Sequence, residues 1–221
     1  MSEIVPQAID DLCRSAASCN VCFESGLPIV RTRVDLAQPR WIGPGYWTSR
    51  PRVLIVLTNP GAGNARAATA DLTFRQLLTD YRDGKTDLGP TFKHQRKDMA
   101  NWGDLICYYI DGFGLDLDET AFVNIAWCAS ISRKTPPANA YPSAMLKRCF
   151  SEFTQPLAKE LNPQLLILGG DKAASFAPQL KSILPDSEAV SVLHYAHRPL
   201  DLPKRPHQIE HVREILARLR S

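Results

Sequence analysis

The sequence predicts an α/β fold, a three-layer α/β/α sandwich with a central four-stranded parallel sheet, and three observations predict it. Four short apolar segments run with almost no polar interruption, as strands covered on both faces do. Stretches with helical spacing lie between them, and strand alternating with helix is the pattern of a parallel sheet. The chain has 221 residues, 44% hydrophobic and 22% charged, which is enough to bury roughly 70% of its unfolded surface as one domain over residues 1–221. Such a composition excludes disordered, collagen-like and coiled-coil chains.

Taken in order, the spacing predicts a helix over 5–17, then a Pro- and Gly-rich connection through Pro28, Pro39, Gly43, Pro44 and Gly45. The first strand spans 53–58, followed by a helix over 72–81 and a polar loop over 83–100. A helix over 102–112 precedes the second strand at 122–127. After a loop at 132–142 come a helix at 141–161, the third strand at 165–169, a helix at 171–184 and the fourth strand at 189–193. The last helix, 208–219, sets Ile209, Val212, Ile215, Leu216 and Leu219 at the spacing that seals a sheet.

No segment approaches the roughly 20 apolar residues of a membrane span, so no membrane partner is expected. The first 25 residues hold Glu3, Asp10 and Asp11 and no apolar core of a signal peptide, which predicts a cytoplasmic protein with reduced cysteines. Net charge is +3. Arg31, Arg33, Arg40, Arg50 and Arg52, with the basic residues from Arg198 onward, would suit a polyanion lying across one face or a plainly solvated surface.

In an open α/β sheet, ligands bind outside the carboxyl ends of the strands. Those ends carry Asn59-Pro60-Gly61 after the first strand, Asn124 and Cys128 at the second, Gly169-Gly170 after the third, and His194-Tyr195-Ala196-His197-Arg198-Pro199 after the fourth. Pro60 drives Asn59 into an extended conformation, fixing a side-chain amide at the strand mouth; the bland reading is an ordinary Asn-Pro-Gly turn. Gly61 admits close backbone approach. The turn lacks the Lys-Ser/Thr pair of a phosphate-binding P-loop.

Cys19 and Cys22 form a C-x2-C pair in a polar segment, and Cys128 and Cys149 can complete a four-thiolate set. Soft thiolates select zinc or iron–sulfur clusters, and spacing alone favours zinc, with separate buried thiols as the alternative. Cys107, among Leu105, Ile106 and Tyr108, reads as a buried thiol, and Cys13 stands unpaired.

The order C-x2-C, strand, Asn-Pro-Gly, VNIAWC, a distant Cys, NPQLLILGGDKAA and a His-containing strand end resembles the iron–sulfur branch of the uracil-DNA glycosylase superfamily, over residues 19–199. The first motif departs from that branch: LTNPG is similar to the mismatch-specific and single-strand-selective branches, whose Asn positions the attacking water. The last motif departs too, with HYAHRP in place of a His-Pro pair. The resemblance implies a structural 4Fe-4S cluster on Cys19, Cys22, Cys128 and Cys149, and a monomeric, nucleoid-associated DNA repair enzyme that cleaves uracil or related deaminated bases from DNA.

Under that resemblance each strand-end residue has an expected role. Asn59 orients the water at C1′. Phe74 is the stacking platform for the extruded base, or else a core Phe. Asn124 reads the uracil edge, or else caps a strand. His197 donates a hydrogen bond to uracil O2 as charge builds, with His194 as its competitor. Asp71 is a reserve acid or base. Leu200 or Leu202 wedges into the stack, and Arg198, Lys204 and Arg205 contact phosphates. The rival readings are a nucleotide-binding enzyme using Gly61, Gly63 and Gly170, and a non-catalytic, metal-clipped nucleic-acid-binding module.

Overall fold

The computed structural model describes residues 5–61, 68–99, 103–136, 138–196 and 205–221. Its chain falls into two interleaved units, Met1–Arg40, Asn59–Gln95 and Asn124–Glu160 in the first, Trp41–Thr58, Arg96–Val123 and Leu161–Ser221 in the second.

The second unit is built on the sheet. Strands β2 (Val53–Leu57), β3 (Thr120–Asn124), β5 (Leu165–Gly169) and β6 (Glu188–Val192) form a parallel sheet in the order β3-β2-β5-β6, the class the sequence predicts. Val53 pairs with Leu165, and Leu165 with Glu188. Leu54, Ile55 and Val56 on β2, and Leu165 through Leu168 on β5, are fully buried, which is why these strands read as unbroken apolar runs. The last helix, α10 (Arg205–Arg220), buries Val212, Ile215 and Leu216, while Ile209 and Leu219 are only half-buried. Arg218 holds Glu188 of β6 at 2.7 Å.

In the first unit α1 (Gln7–Ala17) packs on α3 (Ala68–Arg82): Arg14 lies 4.4 Å over the Tyr81 ring and donates to the Tyr81 carbonyl, and the Tyr81 hydroxyl donates to Asp10 O at 2.7 Å. A small antiparallel pair, β1 (Ile29–Arg31) with β4 (Ser130–Ser132), lies outside the predicted strands. The short α2 (Val21–Glu24) begins two residues after Cys19, with Asn20 as its N-cap.

Several boundaries differ from expectation, each for a physical reason. The span 83–100 is not a loop throughout, since α4 occupies Gly89–Met99; its largely polar sequence hides three buried positions, Thr91, Phe92 and Gln95, within about one turn. The second strand ends at Asn124, three residues early, because the carbonyls of Asn124 and Ile125 accept the Thr154 hydroxyl at 2.8 and 3.1 Å. The long helix predicted to Leu161 is α6 (Ser143–Cys149), a π-helical turn at Phe150–Thr154 and α7 (Gln155–Leu161). Pro156 has no N–H for the carbonyl of Glu152, so the α register fails there. Pro178 likewise divides α8 (Asp171–Ala174) from α9 (Ala177–Ile183). The short α5 (Gly103–Leu105) passes into another π-helical turn, Ile106–Asp111. That turn sets Cys107 outward and exposed while Tyr108, Tyr109 and Ile110 are buried, correcting the expected buried thiol.

Candidate active site and metal centre

In the first unit, Asn124 closes β3 and is 2% exposed. Its backbone carbonyl is taken by Thr154, whose hydroxyl also accepts the Trp127 indole N–H at 3.0 Å. Its side-chain Nδ2 is buried and has no hydrogen-bond partner among the described residues. A buried amide donor left unpaired costs about 1–3 kcal/mol, so the fold carries a polar group that its own packing does not use.

Asn59 is half-buried, and its Nδ2 donates to the Pro60 carbonyl at 2.6 Å. The amide plane is thereby fixed, with Oδ1 as its acceptor face. Gly61 is exposed, and a Cβ added there would meet nothing within 4 Å, so the open space rather than backbone strain distinguishes the position.

Phe74 is buried with Val34, Leu36 and Leu78, and its ring stacks on His94 of α4 at 5.4 Å and 10°. The ring thus has a core side and a side covered by a histidine that the sequence did not single out. Asp71 is held by Arg33 at 2.8 Å.

In the second unit, His194 follows β6. Its Nδ1 accepts the Ala196 N–H at 3.2 Å, which places the proton of the neutral ring on Nε2. Gly170 has φ +90°, a conformation that favours glycine, and a Cβ there would stand 3.2 Å from His194 Cβ. A Cβ at Gly169 would run into the Tyr109 hydroxyl. The two glycines therefore admit an aromatic residue and a histidine to the strand end. Arg205 is turned inward: its Nη2 donates to the Tyr195 carbonyl at 2.7 Å and its guanidinium lies 4.8 Å over the Tyr108 ring. His197, Arg198, Leu200, Leu202, Lys204 and Gly63 lie outside the described residues.

The Arg33 and Arg52 members of the basic run are likewise engaged, Arg33 with Asp71 and Arg52 with the Asn162 carbonyl at 2.9 Å.

The four cysteines of the predicted set all lie in the first unit, and their thiols act on one another. A hydrogen bond with Cys149 brings the Cys22 thiol down to about 7, and the same bond, then burial, drives the Cys149 thiol up. Burial, then Cys19 and Cys22, pushes Cys128 up to about 12. Burial also raises Cys19. Arg148 favours thiolates at Cys19 and Cys22, and Arg31 does so at Cys128. Arg31 also lies 4.3 Å over the Phe23 ring and donates to Asn20 Oδ1 at 2.7 Å, gripping the C-x2-C segment. Cys13 is buried against Asp10, apart from this set.

Among the described residues no three His, Cys, Asp or Glu side chains converge on one metal-ion position. Four soft, mutually acting thiols suit either a zinc ion or a 4Fe-4S cluster in number and kind.

No protein-family model matches the chain, and no curated protein matches it.

Proposed function

We propose that the chain is a monofunctional DNA glycosylase that hydrolyses the N-glycosidic bond of uracil in DNA, leaving an abasic site. Related deaminated bases that present the same edge are included. One observation carries the reading: the buried, unpartnered Nδ2 of Asn124 at the carboxyl end of β3. An amide there offers a donor and an acceptor side by side. Uracil presents the complement, O4 and N3–H, whereas cytosine presents an amine and a bare nitrogen, so the wrong base leaves buried groups unpaired.

The chemistry asks little of strong bases. With the base extruded, Asn59 Oδ1 orients a water toward C1′ while the tether to Pro60 O holds the amide still. The C1′–N1 bond breaks with its electron pair leaving on the base, the water oxygen bonds to C1′, and the proton it gives up passes through solvent to the departing uracil anion. The segment after β6 supplies the hydrogen bond to uracil O2 as that oxygen gains charge, from His197 or from its competitor His194, whose Nδ1 is occupied by the Ala196 N–H so that Nε2 is the nitrogen left to donate. Cys19, Cys22, Cys128 and Cys149 hold the cluster, which supplies a structural clip and takes no part in the bond changes. The protein acts as a monomer on DNA.

The test is cleavage of end-labelled single- and double-stranded oligonucleotides carrying one uracil, followed by alkali. Alkali-dependent scission at the uracil, absent from a thymine control, is expected. A folded, iron-loaded protein that leaves uracil and a panel of deaminated bases intact overturns the proposal.

A further inference from the structure

Four contacts hold the short turn that carries His194, and a fifth braces one of its partners. The Leu193 N–H donates to Gln208 Oε1 at 2.9 Å, and the same oxygen accepts the Tyr108 hydroxyl at 2.7 Å. The Leu193 carbonyl accepts the Tyr109 hydroxyl at 3.1 Å. On the other side of the histidine, the Tyr195 carbonyl is held by Arg205 at 2.7 Å. Within the turn, Ala196 N–H fixes the histidine's Nδ1 at 3.2 Å. Both backbone neighbours of His194 are therefore gripped by side chains from the π-helical turn and from α10.

Gln208 is the joint of this arrangement. It is half-buried on α10, whose docking rests on Val212, Ile215 and Leu216 further along. Its one oxygen receives two donors, one from the turn and one from the π-helical segment. We infer that Gln208 is a positioning residue for His194: by accepting both Leu193 N–H and Tyr108 O–H it holds the turn in the shape that keeps Nδ1 on Ala196 N–H and the proton on Nε2. The inference rests on reading His194 as the donor to the departing base. Without Gln208 the Leu193 amide loses its partner, the turn relaxes, and the Nδ1–H tautomer, which offers its proton in another direction, gains population.

The acceptor-only use of Gln208 gives a discriminating pair of variants. Glu offers the same oxygen to both donors, and Ala offers none. In full-length, metal-loaded protein, the His194 tautomer is read by ¹⁵N NMR, with His194→Gln identifying the signal. Steady-state, multiple-turnover excision of uracil gives kcat and KM. The wild type is expected to hold the Nε2–H form. Gln208→Ala should yield a tautomer mixture and a kcat lower by about 10–100-fold with KM changed less than about 3-fold, and Gln208→Glu should restore both. Tyr108→Phe, which removes one donor and leaves the rest, should shift both readouts the same way by less.

An unchanged tautomer and kcat in Gln208→Ala overturns the inference, as does a folded Gln208→Glu that behaves like the alanine variant. Wild-type protein that is inactive on uracil, with a tautomer that still follows Gln208, supports the positioning and overturns the glycosylase reading instead.

Discussion

Asn124 and Phe74 show how differently two predicted site residues can be used. Phe74 is absorbed into a cluster with Val34, Leu36 and Leu78, so its burial is explained without any ligand except on the face that His94 covers. Asn124 is equally buried, yet its Nδ2 gains nothing from the fold. Removing a buried, unpaired donor relieves its desolvation cost, about 1–3 kcal/mol, which offsets the small cavity that Ala leaves. Asn124→Ala should therefore melt within a few degrees of the wild type while uracil excision falls by at least about 100-fold. Calorimetry beside single-turnover kinetics checks it: a variant that loses stability and activity together would make Asn124 a structural amide. Asn59→Ala should also keep the fold and lose about 100-fold in rate, because only the orientation of the water depends on it.

At the scale of elements, the π-helical turn after α6 has a visible task, since Thr154 joins it to the end of β3 through the carbonyls of Asn124 and Ile125 and to the Trp127 indole. Thr154→Val keeps the shape and strands these groups, so unfolding free energy should drop by about 2 kcal/mol, while Thr154→Ser should hold it within about 1 kcal/mol; equal denaturant midpoints for the two variants would refute the clamp. A second link joins the segment after β1 to α3. Arg75 donates to both oxygens of Asp35, at 2.7 and 3.0 Å, and that hydrogen bonding holds the Asp35 carboxyl below its ordinary value. A depressed carboxyl contributes stability that is complete above about pH 4 and is lost as pH falls through the lower folded value. Asp35→Asn should flatten that part of the acid limb, by well under 1 kcal/mol because the pair is partly exposed; an unchanged acid limb would remove the pair from the pH dependence. Strands such as β2 and β5 were legible because burial on both faces leaves no room for polar residues, and their mouths followed from topology. The pair β1 and β4 was not, since three residues carry no periodicity. Nor were α4, whose inward positions Thr91, Phe92 and Gln95 are mostly polar, or Gln208, whose role depends on a hydroxyl distant in sequence.

For the molecule as a whole, a metal held by the four cysteines would divide the labour of stability between the units. All four lie in the first unit, Cys22 on α2 and Cys19 two residues before that helix, Cys128 just beyond β3 and Cys149 at the end of α6, so a metal bound there would close a loop of more than a hundred residues. Closing so long a loop removes entropy from the unfolded chain, worth about 4–5 kcal/mol by the same reckoning as a disulfide. The parallel sheet of the second unit has its own apolar strands and owes nothing directly to those thiols. Removing the metal with oxidant and chelator should therefore raise amide hydrogen exchange in α1, β1, β4 and α6 while β2, β5 and β6 keep their protection. Cys19→Ala should give the same pattern and lose bound iron and the brown colour, and a colourless wild type with stoichiometric zinc would replace the cluster by a single ion while leaving the exchange pattern as the test of the clip. Uniform loss of protection across both units, or none in either, would show that the thiols do not brace the first unit in particular.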